Sequence, residues 1–166
     1  MDTAAHARDL LAQNRYVVLA TADADGSPWV TPVWFAADGL DRIIWVSWPG
    51  SRHSQLIADR PEIALTVFDS TATPNEGTAF YATAVASECP EGEFGPTLEI
   101  YNERSRAQGL PGFSRDKLSG DARLRLYVAT ITDAWVLDQD SPVDERAPVP
   151  RRGGAAGRHR AGPRDF

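Results

Sequence analysis

The sequence predicts a mainly β protein with a few helices, folded as a small antiparallel barrel. Three observations lead to this prediction. Runs rich in β-branched and aromatic residues recur along the chain, turn clusters separate them, and two of these runs carry large apolar side chains on both faces. With 166 residues, the chain is also long enough for one domain with a substantial hydrophobic core.

Strands are predicted where apolar runs lie between turn signals. Tyr16–Ala22 ends in a turn cluster that contains Gly26, and the return strand Trp29–Ala36 ends just before the turn at Gly39, so the two form a hairpin. The other predicted strands are Arg42–Trp48, Ile63–Phe68, Thr78–Ser87 and Arg123–Ile131, with a short last strand at Ala134–Leu137.

Capping and stop signals mark the helices. Ser51 is a favourable N-cap and Pro61 a stop for the second helix, while Pro96 suits the first turn of the third and Gly109 its end. The predicted helices are Thr3–Asn14, Ser51–Arg60 and Pro96–Ala107.

The strands differ in the polarity of their two faces. Arg42–Trp48 carries isoleucine, valine or tryptophan on both faces, and Trp29–Ala36 behaves in the same way. One face of each points into the barrel, so the other must meet a helix, a second chain or a flat ligand. Arg123–Ile131 begins by alternating apolar residues with arginine, which predicts one wet face.

Composition excludes several kinds of site. The single cysteine, Cys89, permits no internal disulfide, and the three histidines match no metal-ligand spacing, so we expect no metal site. The single lysine, Lys117, is followed by leucine, which excludes a P-loop. No apolar run has the roughly 20 residues of a membrane span, and no secretory signal is evident. We therefore expect a cytoplasmic protein without membrane contacts.

Charge divides the chain into two parts. The formal charge is −6, but residues 1–145 carry 11 bases against 22 acids, whereas the segment from Arg146 onward has six arginines and one acid. We predict a folded domain over 1–141 and a disordered basic tail, rich in Pro, Gly and Arg, over 142–166. A basic tail could contact nucleic acid or an acidic partner. We favour the alternative interpretation, a solvated tail, and expect no nucleic-acid partner.

The segment from Arg42 to Ile57 is the most informative part of the chain. A predicted strand ends in Pro-Gly and a helix begins at Ser51, where free backbone N–H groups and the helix dipole attract anions. Ser51 and Ser54 add hydroxyls, Arg52 adds a guanidinium suited to phosphate, and His53 adds a further donor. The alternative, in which Ser51 only caps the helix and Arg52 is solvated, stays open.

Pro32 lies inside a predicted strand. Proline has no N–H to donate to a neighbouring strand, so this strand lies at a sheet edge or is bulged there. Backbone groups of Val33 and Trp34 would then be free to face the polar edge of a planar heterocycle. An ordinary edge proline explains the residue equally well.

These features together resemble the pyridoxamine-phosphate-oxidase-like, flavin-binding split-barrel family. The shared order is a helix, a Leu-Ala-Thr strand, an acidic hairpin turn, the strand Thr-Pro-Val-Trp-Phe, the strand Trp-Val-Ser, the helix start Ser-Arg-His and the strand Arg-Pro-Glu-Ile-Ala-Leu-Thr-Val-Phe. The resemblance runs from about Leu10 to Leu137. It implies a six-stranded antiparallel split β-barrel that forms a homodimer, with FMN in a groove between the subunits.

The resemblance also implies the residues that contact FMN. Those at the phosphate would be Ser51, Arg52 and His53, and those at the ring and ribityl chain would be Val33, Trp34, Trp45, Val46 and Ser47. His53 replaces the family's lysine, so a fixed charge becomes one that depends on pH. The family's Arg-x-x-Leu-Leu-Lys and C-terminal Trp-x-x-x-Arg-Leu stretches are missing, so we do not predict vitamin B6 oxidation.

The function expected from the sequence is an FMN-dependent oxidoreductase that acts on an unidentified small molecule. No catalytic residue is assigned, although Tyr81, Tyr101 and Tyr127 are candidate proton donors. Two alternatives stay open: a deazaflavin-dependent reductase of the same fold, and a non-catalytic flavin or haem binding protein. The visible absorption spectrum separates flavin from haem.

Overall fold

The computed structural model describes residues 1–73 and 77–150. The part of the predicted tail from 151 onward lies outside the described residues. In chain order the elements are α1 (Thr3–Gln13), β1 (Tyr16–Ala22), β2 (Pro28–Trp34), β3 (Ala36–Asp38), β4 (Arg42–Ser47), α2 (Arg52–Asp59), β5 (Glu62–Phe68), β6 (Ala79–Glu88), α3 (Phe94–Ala107), β7 (Arg125–Leu137) and β8 (Arg146–Pro148).

All strand pairs are antiparallel and belong to one sheet. Its order is β2-β1-β5-β6-β7-β4-β3, with β8 added beside β7. The two end strands, β2 and β3, are separated in the chain by a single residue, Phe35, so the sheet must curl until its ends approach each other. The prediction of a mainly β split barrel is confirmed: six longer strands form it, and β3 and β8 are short additions of three residues each.

The sequence prediction of two separate strands, Arg123–Ile131 and Ala134–Leu137, was wrong, because β7 runs through both segments. It is one strand of 13 residues, and it pairs with β6 along most of its length. The register shifts between Thr83 and Ala84, where Thr132 becomes an extra residue whose hydroxyl lies 2.6 Å from that of Thr83. This β-bulge places two exposed residues in succession and interrupts the alternation from which strands are predicted.

The predicted tail boundary at 141 lies before an ordered segment. Arg146–Pro148 pairs with β7 as β8, and the following residue, Val149, is buried and donates its N–H to the carbonyl of Ala134. The Thr3 hydroxyl also donates to the carbonyl of Pro148. Assigning 142–150 to a disordered tail was therefore wrong, because this short piece adds backbone pairing and one buried side chain.

The barrel interior forms the main core, and helices cover its two ends. Leu10 and Leu11 of α1 enter this core where β1 begins and β5 ends. Ile57 of α2 enters it near the start of β5, where the Ala86 N–H donates to the carbonyl of Pro61. The helices α1 and α2 thus lie at opposite ends of the same barrel.

A second core lies outside the barrel, beneath α3. Ile44 of β4 and Leu126 and Val128 of β7 pack there against Phe94 and Leu98. This confirms that β4 is apolar on both faces, and a helix covers its outer face. The predicted wet face of Arg123–Ile131 was wrong, because Tyr127 and Ala129, on the side of the arginines, lie in the barrel core.

Two further findings concern the described residues alone. None of their helices combines the length and apolar character that a membrane span requires. They also contain no group of three or more His, Cys, Asp or Glu side chains placed to hold a metal ion.

Candidate functional site

The candidate site is built around the turn that leads from β4 into α2. The Ser51 N–H donates to the carbonyl of Trp48 at 2.9 Å and closes this turn. A Cβ added to Gly50 would lie 2.5 Å from the Trp48 ring, so the indole packs against the backbone only because residue 50 is glycine. The ring is half exposed, and Arg123 lies over it at 5.2 Å.

The N-terminus of α2 has no side-chain cap. Ser51 occupies the N-cap position, but its hydroxyl donates to the Ser54 hydroxyl at 2.9 Å and not to a backbone N–H. The predicted capping hydrogen bond is therefore absent. The first N–H groups of a helix have no partner within it, so here they stay available, with the positive end of the helix dipole behind them.

Arg52 follows immediately and is only loosely held. Its side chain is 55% exposed, lies 3.9 Å from the Asp23 carboxylate and stands over the Trp29 ring at 5.8 Å. An exposed ion pair at this distance contributes little, at most about 1 kcal/mol. The guanidinium can therefore exchange Asp23 for a stronger anion beside the helix start.

His53 points inward and is buried. Its Nε2 lies 2.9 Å from the Ser47 hydroxyl and 3.2 Å from the Ser51 hydroxyl. Burial lowers the pKa of this imidazole, so it is neutral at pH 7. It therefore fixes the serine hydroxyls in place and does not add charge beside Arg52.

The polar cluster continues toward a small cavity on the other side of α2. Ser54 is buried, and it lines a cavity of about 190 Å³ together with Tyr127 and Glu88. The Tyr127 hydroxyl donates to the Glu88 carboxylate at 3.4 Å, a long hydrogen bond. This cavity shares the serine cluster with the helix start and belongs to the same region.

The other predicted contact residues do not present their side chains at one surface. Val33 and Trp45 lie in the barrel core, where Trp45 stacks on Tyr127 at 5.5 Å and its indole N–H has no hydrogen-bond partner among the described residues. Trp34 and Val46 pack under α3, and the Trp34 N–H donates to the Gln108 side chain at 2.8 Å. The side chains of Val33 and Trp45 are therefore closed to a ligand, whereas those of Trp34 and Val46 are partly buried.

The backbone of β2 is the feature that remains accessible. This strand ends the sheet and pairs with β1 alone, with Pro32 opposite Val18, so the sequence-based expectation of an edge strand at Pro32 is confirmed. On such a strand every second residue directs its N–H and C=O away from the sheet. The strand packs beside α2, so hydrogen-bonding groups without partners in the sheet lie next to Arg52.

Sequence reasoning missed Trp29 and Asp23 as members of this site. Trp29 is 44% exposed at the start of β2, and its N–H donates to the Thr31 hydroxyl at 2.8 Å. Asp23 lies in the turn before it. The available signal was an exposed aromatic residue after an acidic hairpin turn, but its approach to Arg52 depends on how α2 packs.

The candidate tyrosines are placed differently. Burial raises the pKa of Tyr101 to about 12, and the ring packs edge-on against Trp34 at 4.9 Å. Burial also raises the pKa of Tyr127. Tyr81 is half-buried on the outer face of the sheet, under Arg146 at 4.5 Å. The Tyr127 hydroxyl also hydrogen-bonds to Ser54 near the start of α2, whereas Tyr81 and Tyr101 form no such contact among the described residues.

Comparison with solved structures shows the same fold at low identity. An F420 reductase is 24% identical, with 76% of this chain and 94% of that chain covered and a TM-score of 0.56. HutZ, the heme storage protein of Vibrio cholerae, is 17% identical over 80% of this chain and 92% of its own, with a TM-score of 0.61. The heme binding protein of Mycobacterium smegmatis is 14% identical over 90% of this chain and 59% of its own, with a TM-score of 0.65.

Sequence comparison adds the family. No protein with a curated description matches the chain. The pattern described as pyridoxamine 5'-phosphate oxidase, however, matches residues 3–137, which include α1, all of β1 to β7 and the candidate site. The chain therefore belongs to the pyridoxamine 5'-phosphate oxidase family, whose members commonly bind flavin nucleotides.

Proposed function

We propose that this protein binds FMN and acts as a flavin-dependent oxidoreductase on a small molecule. The observation that carries the proposal is the uncapped start of α2, with Arg52 beside it and the open edge of β2 alongside. A phosphate monoester needs backbone N–H donors, hydroxyls and a guanidinium, and all three are present there. The polar rim of a flat ring system needs hydrogen-bonding partners, and the backbone groups at the open edge of β2 can supply them.

The residues fit FMN in separate roles. The N–H groups at the start of α2 and the Ser51 hydroxyl would hold the phosphate, and Arg52 would turn from Asp23 to bind it. His53 would keep Ser51 oriented from inside the barrel, because it contacts that hydroxyl. Trp29, exposed beside Arg52, would cover apolar parts of the ligand.

A bound flavin supplies the hydride or electron transfer, so the protein's part is to bind it, orient it and admit a substrate. In this proposal the contacts of His53 Nε2 with the Ser47 and Ser51 hydroxyls serve to hold the cofactor, and the reaction requires no attack by either serine. Vitamin B6 oxidation is not proposed, because the corresponding phosphate-binding sequence stretches are missing.

The FMN site is tested by Arg52→Ala. Its removal takes away a charged partner of the phosphate, so we expect the affinity for FMN to fall on the order of tenfold, which corresponds to about 1.4 kcal/mol. Fluorescence quenching of FMN measures this affinity. Arg106→Ala is the matched control, because Arg106 is also an exposed arginine but pairs with Glu99 on α3.

Two results would contradict the proposal. One is a purified protein that is colourless and remains so after incubation with FMN. The other is an Arg52→Ala variant that binds FMN as tightly as the unchanged protein and the Arg106→Ala control.

We further propose that the protein is a homodimer. The outer apolar face of β2, β1, β5 and β6 is formed by Tyr16, Ala20, Val30, Pro32, Ala64, Phe68 and Val85. Tyr16 is 59% and Val30 58% exposed in the single chain, although they lie on one continuous face. A second copy of the chain would cover this face and form a wall of the flavin groove beside β2.

Sedimentation equilibrium tests the homodimer. Val30→Glu places a charge on the outer apolar face, and we expect it to shift the protein to monomers. Leu110→Glu is the control, because Leu110 is also exposed but lies beyond α3. A monomeric unchanged protein, or equal behaviour of the two variants, would refute the interface.

The rival cofactors are distinguished by binding and by spectrum. Deazaflavin is a second candidate because the F420 reductase shares the fold at 24% identity. Direct titration with FMN and with deazaflavin decides between them.

Haem is a third candidate cofactor, since two of the similar structures belong to haem proteins. His6 bonds to Thr78 and His53 is buried among serines, so neither is free as an axial ligand in the described residues.

A further inference from the structure

A second cavity lies at the other end of the barrel, between α1, β3 and α3. Its volume is about 240 Å³, which equals the liquid volume of about eight water molecules. It is lined by Leu11, Ala12 and Ala37, by Gly39, and by two arginines, Arg8 and Arg104. One wall is thus apolar, and both charged lining residues are positive.

Arg104 is held firmly in this wall. Its Nη2 donates to the carbonyls of Ala12 and Asn14 at 2.8 and 2.9 Å, with a longer contact to the carbonyl of Leu11. These carbonyls end α1, where a cation is also favoured by the helix dipole. The backbone of α1 therefore fixes one face of the guanidinium beside the cavity.

A third arginine increases the local positive charge. Burial lowers the pKa of Arg104, and the nearby charge of Arg15 lowers it further, so the two guanidiniums repel each other. Arg8, Arg15 and Arg104 form no ion pair with any carboxylate in the described parts of the chain. Positive charges held close together without an acidic partner repel each other, and a bound anion would offset this repulsion.

This positive cluster stands out against the rest of the molecule. Residues 1–145 have twice as many acids as bases, and the nearest acid of β3, Asp38, is bound by Arg42. Asp9 and Glu103 adjoin two of the arginines in sequence, but both are exposed and neither pairs with the cluster among the described residues.

We propose that this cavity binds a small organic anion that carries a phosphate or carboxylate group. Arg8 and the free face of Arg104 would bind the anionic group, because a guanidinium matches the geometry of both. Leu11, Ala12 and Ala37 would contact its carbon skeleton. The site is independent of the FMN proposal, because it lies near α1 and the FMN site lies near α2.

The test uses the full chain and 2-phosphoglycolate, which carries both anionic groups. We expect saturable shifts of the Ala12 and Gly39 amide resonances in a two-dimensional NMR titration, and no such shifts with chloride at equal ionic strength. Arg8→Gln should weaken binding at least about tenfold, because it removes one guanidinium partner. Ala12→Glu should abolish binding, since it adds a carboxylate at an exposed helical position without disturbing the cap formed by Arg104.

Arg106→Ala serves as the control, because Arg106 is an exposed arginine that pairs with Glu99 and does not line the cavity, and its affinity should equal that of the unchanged protein. Shifts that do not saturate would overturn the proposal. Unchanged binding by Arg8→Gln and Ala12→Glu would overturn it as well.

Discussion

The helices α1 and α2 begin in different ways, although both close the same barrel. At α1, the carboxylate of Asp2 accepts hydrogen bonds from the N–H groups of Ala4 and Ala5 at 3.1 and 3.0 Å. At α2, Ser51 has the same position and a suitable side chain, but its hydroxyl bonds to Ser54. The first N–H groups of α1 are thus bonded by a side chain of the same protein, whereas those of α2 are not.

The capacity of α2 to bind an anion therefore depends on the absence of a side-chain cap. An N-cap side chain satisfies N–H groups that would otherwise attract an anion, so capping and anion binding compete for the same donors. The Asp2 cap stabilises α1, whereas the first N–H groups of α2 have no side-chain cap and lie beside Arg52.

Truncating a buried side chain should cause the greatest loss of stability, and this loss should be the same for the two helices. Leu10 of α1 and Ile57 of α2 are both buried in the barrel core. Leu10→Ala and Ile57→Ala should therefore each lower the free energy of unfolding by about 2–5 kcal/mol, measured by urea denaturation. A much smaller loss for Ile57→Ala would show that α2 is anchored less firmly than α1, and the comparison would then reflect packing as well as capping.

Substitutions at the two N-cap positions should change stability in different directions. Asp2→Ala removes a working cap and should lower the free energy of unfolding by about 1 kcal/mol. Ser51→Asp should supply the missing cap, so stability should be kept or raised by up to about 1 kcal/mol, while the added charge weakens FMN binding. Thermal unfolding and FMN titration measure the two quantities. A Ser51→Asp variant that binds FMN more tightly would break the proposed competition.

The smallest effect concerns pH and His53. Burial lowers the pKa of this imidazole in the folded protein, so at mildly acidic pH the unfolded chain binds the proton more readily. The resulting destabilisation should be absent above the unfolded pKa of about 6.5 and should grow as the pH falls below it. Urea denaturation of the unchanged protein and of His53→Gln measures this contribution. Parallel pH profiles for the two proteins would show that His53 does not contribute.

The strands and helices were largely predictable, because their signals are local. The periodic runs and turn residues located β1, β2, β4, β5 and β6 and the three helices to within a few residues. The strand at Arg125–Leu137 was split at Thr132 because a β-bulge looks like a strand end in sequence. β8 was missed since three residues in a Pro- and Arg-rich segment carry no periodic signal.

The candidate site was only partly predictable. The proximity of Ser51 and Arg52 in the chain made the anion-binding helix start visible, whereas their contacts with Ser54, Asp23 and Trp29 were not. Trp45 was expected at the ligand but lies in the core, because a strand that is apolar on both faces does not reveal which face turns inward.

Local signals in the sequence were enough to establish the mainly β class, the hairpin order, the helix start at Ser51 and the division of charge. These follow from local backbone preferences, from the alternation of side chains along a strand and from composition. Tertiary packing was needed to turn His53 inward, to bring Arg52 to Trp29 and to gather Arg8, Arg15 and Arg104 at one end of the barrel. Contacts of this kind join residues that are distant in the chain, and the curl of the sheet and the packing of helices against it bring them together.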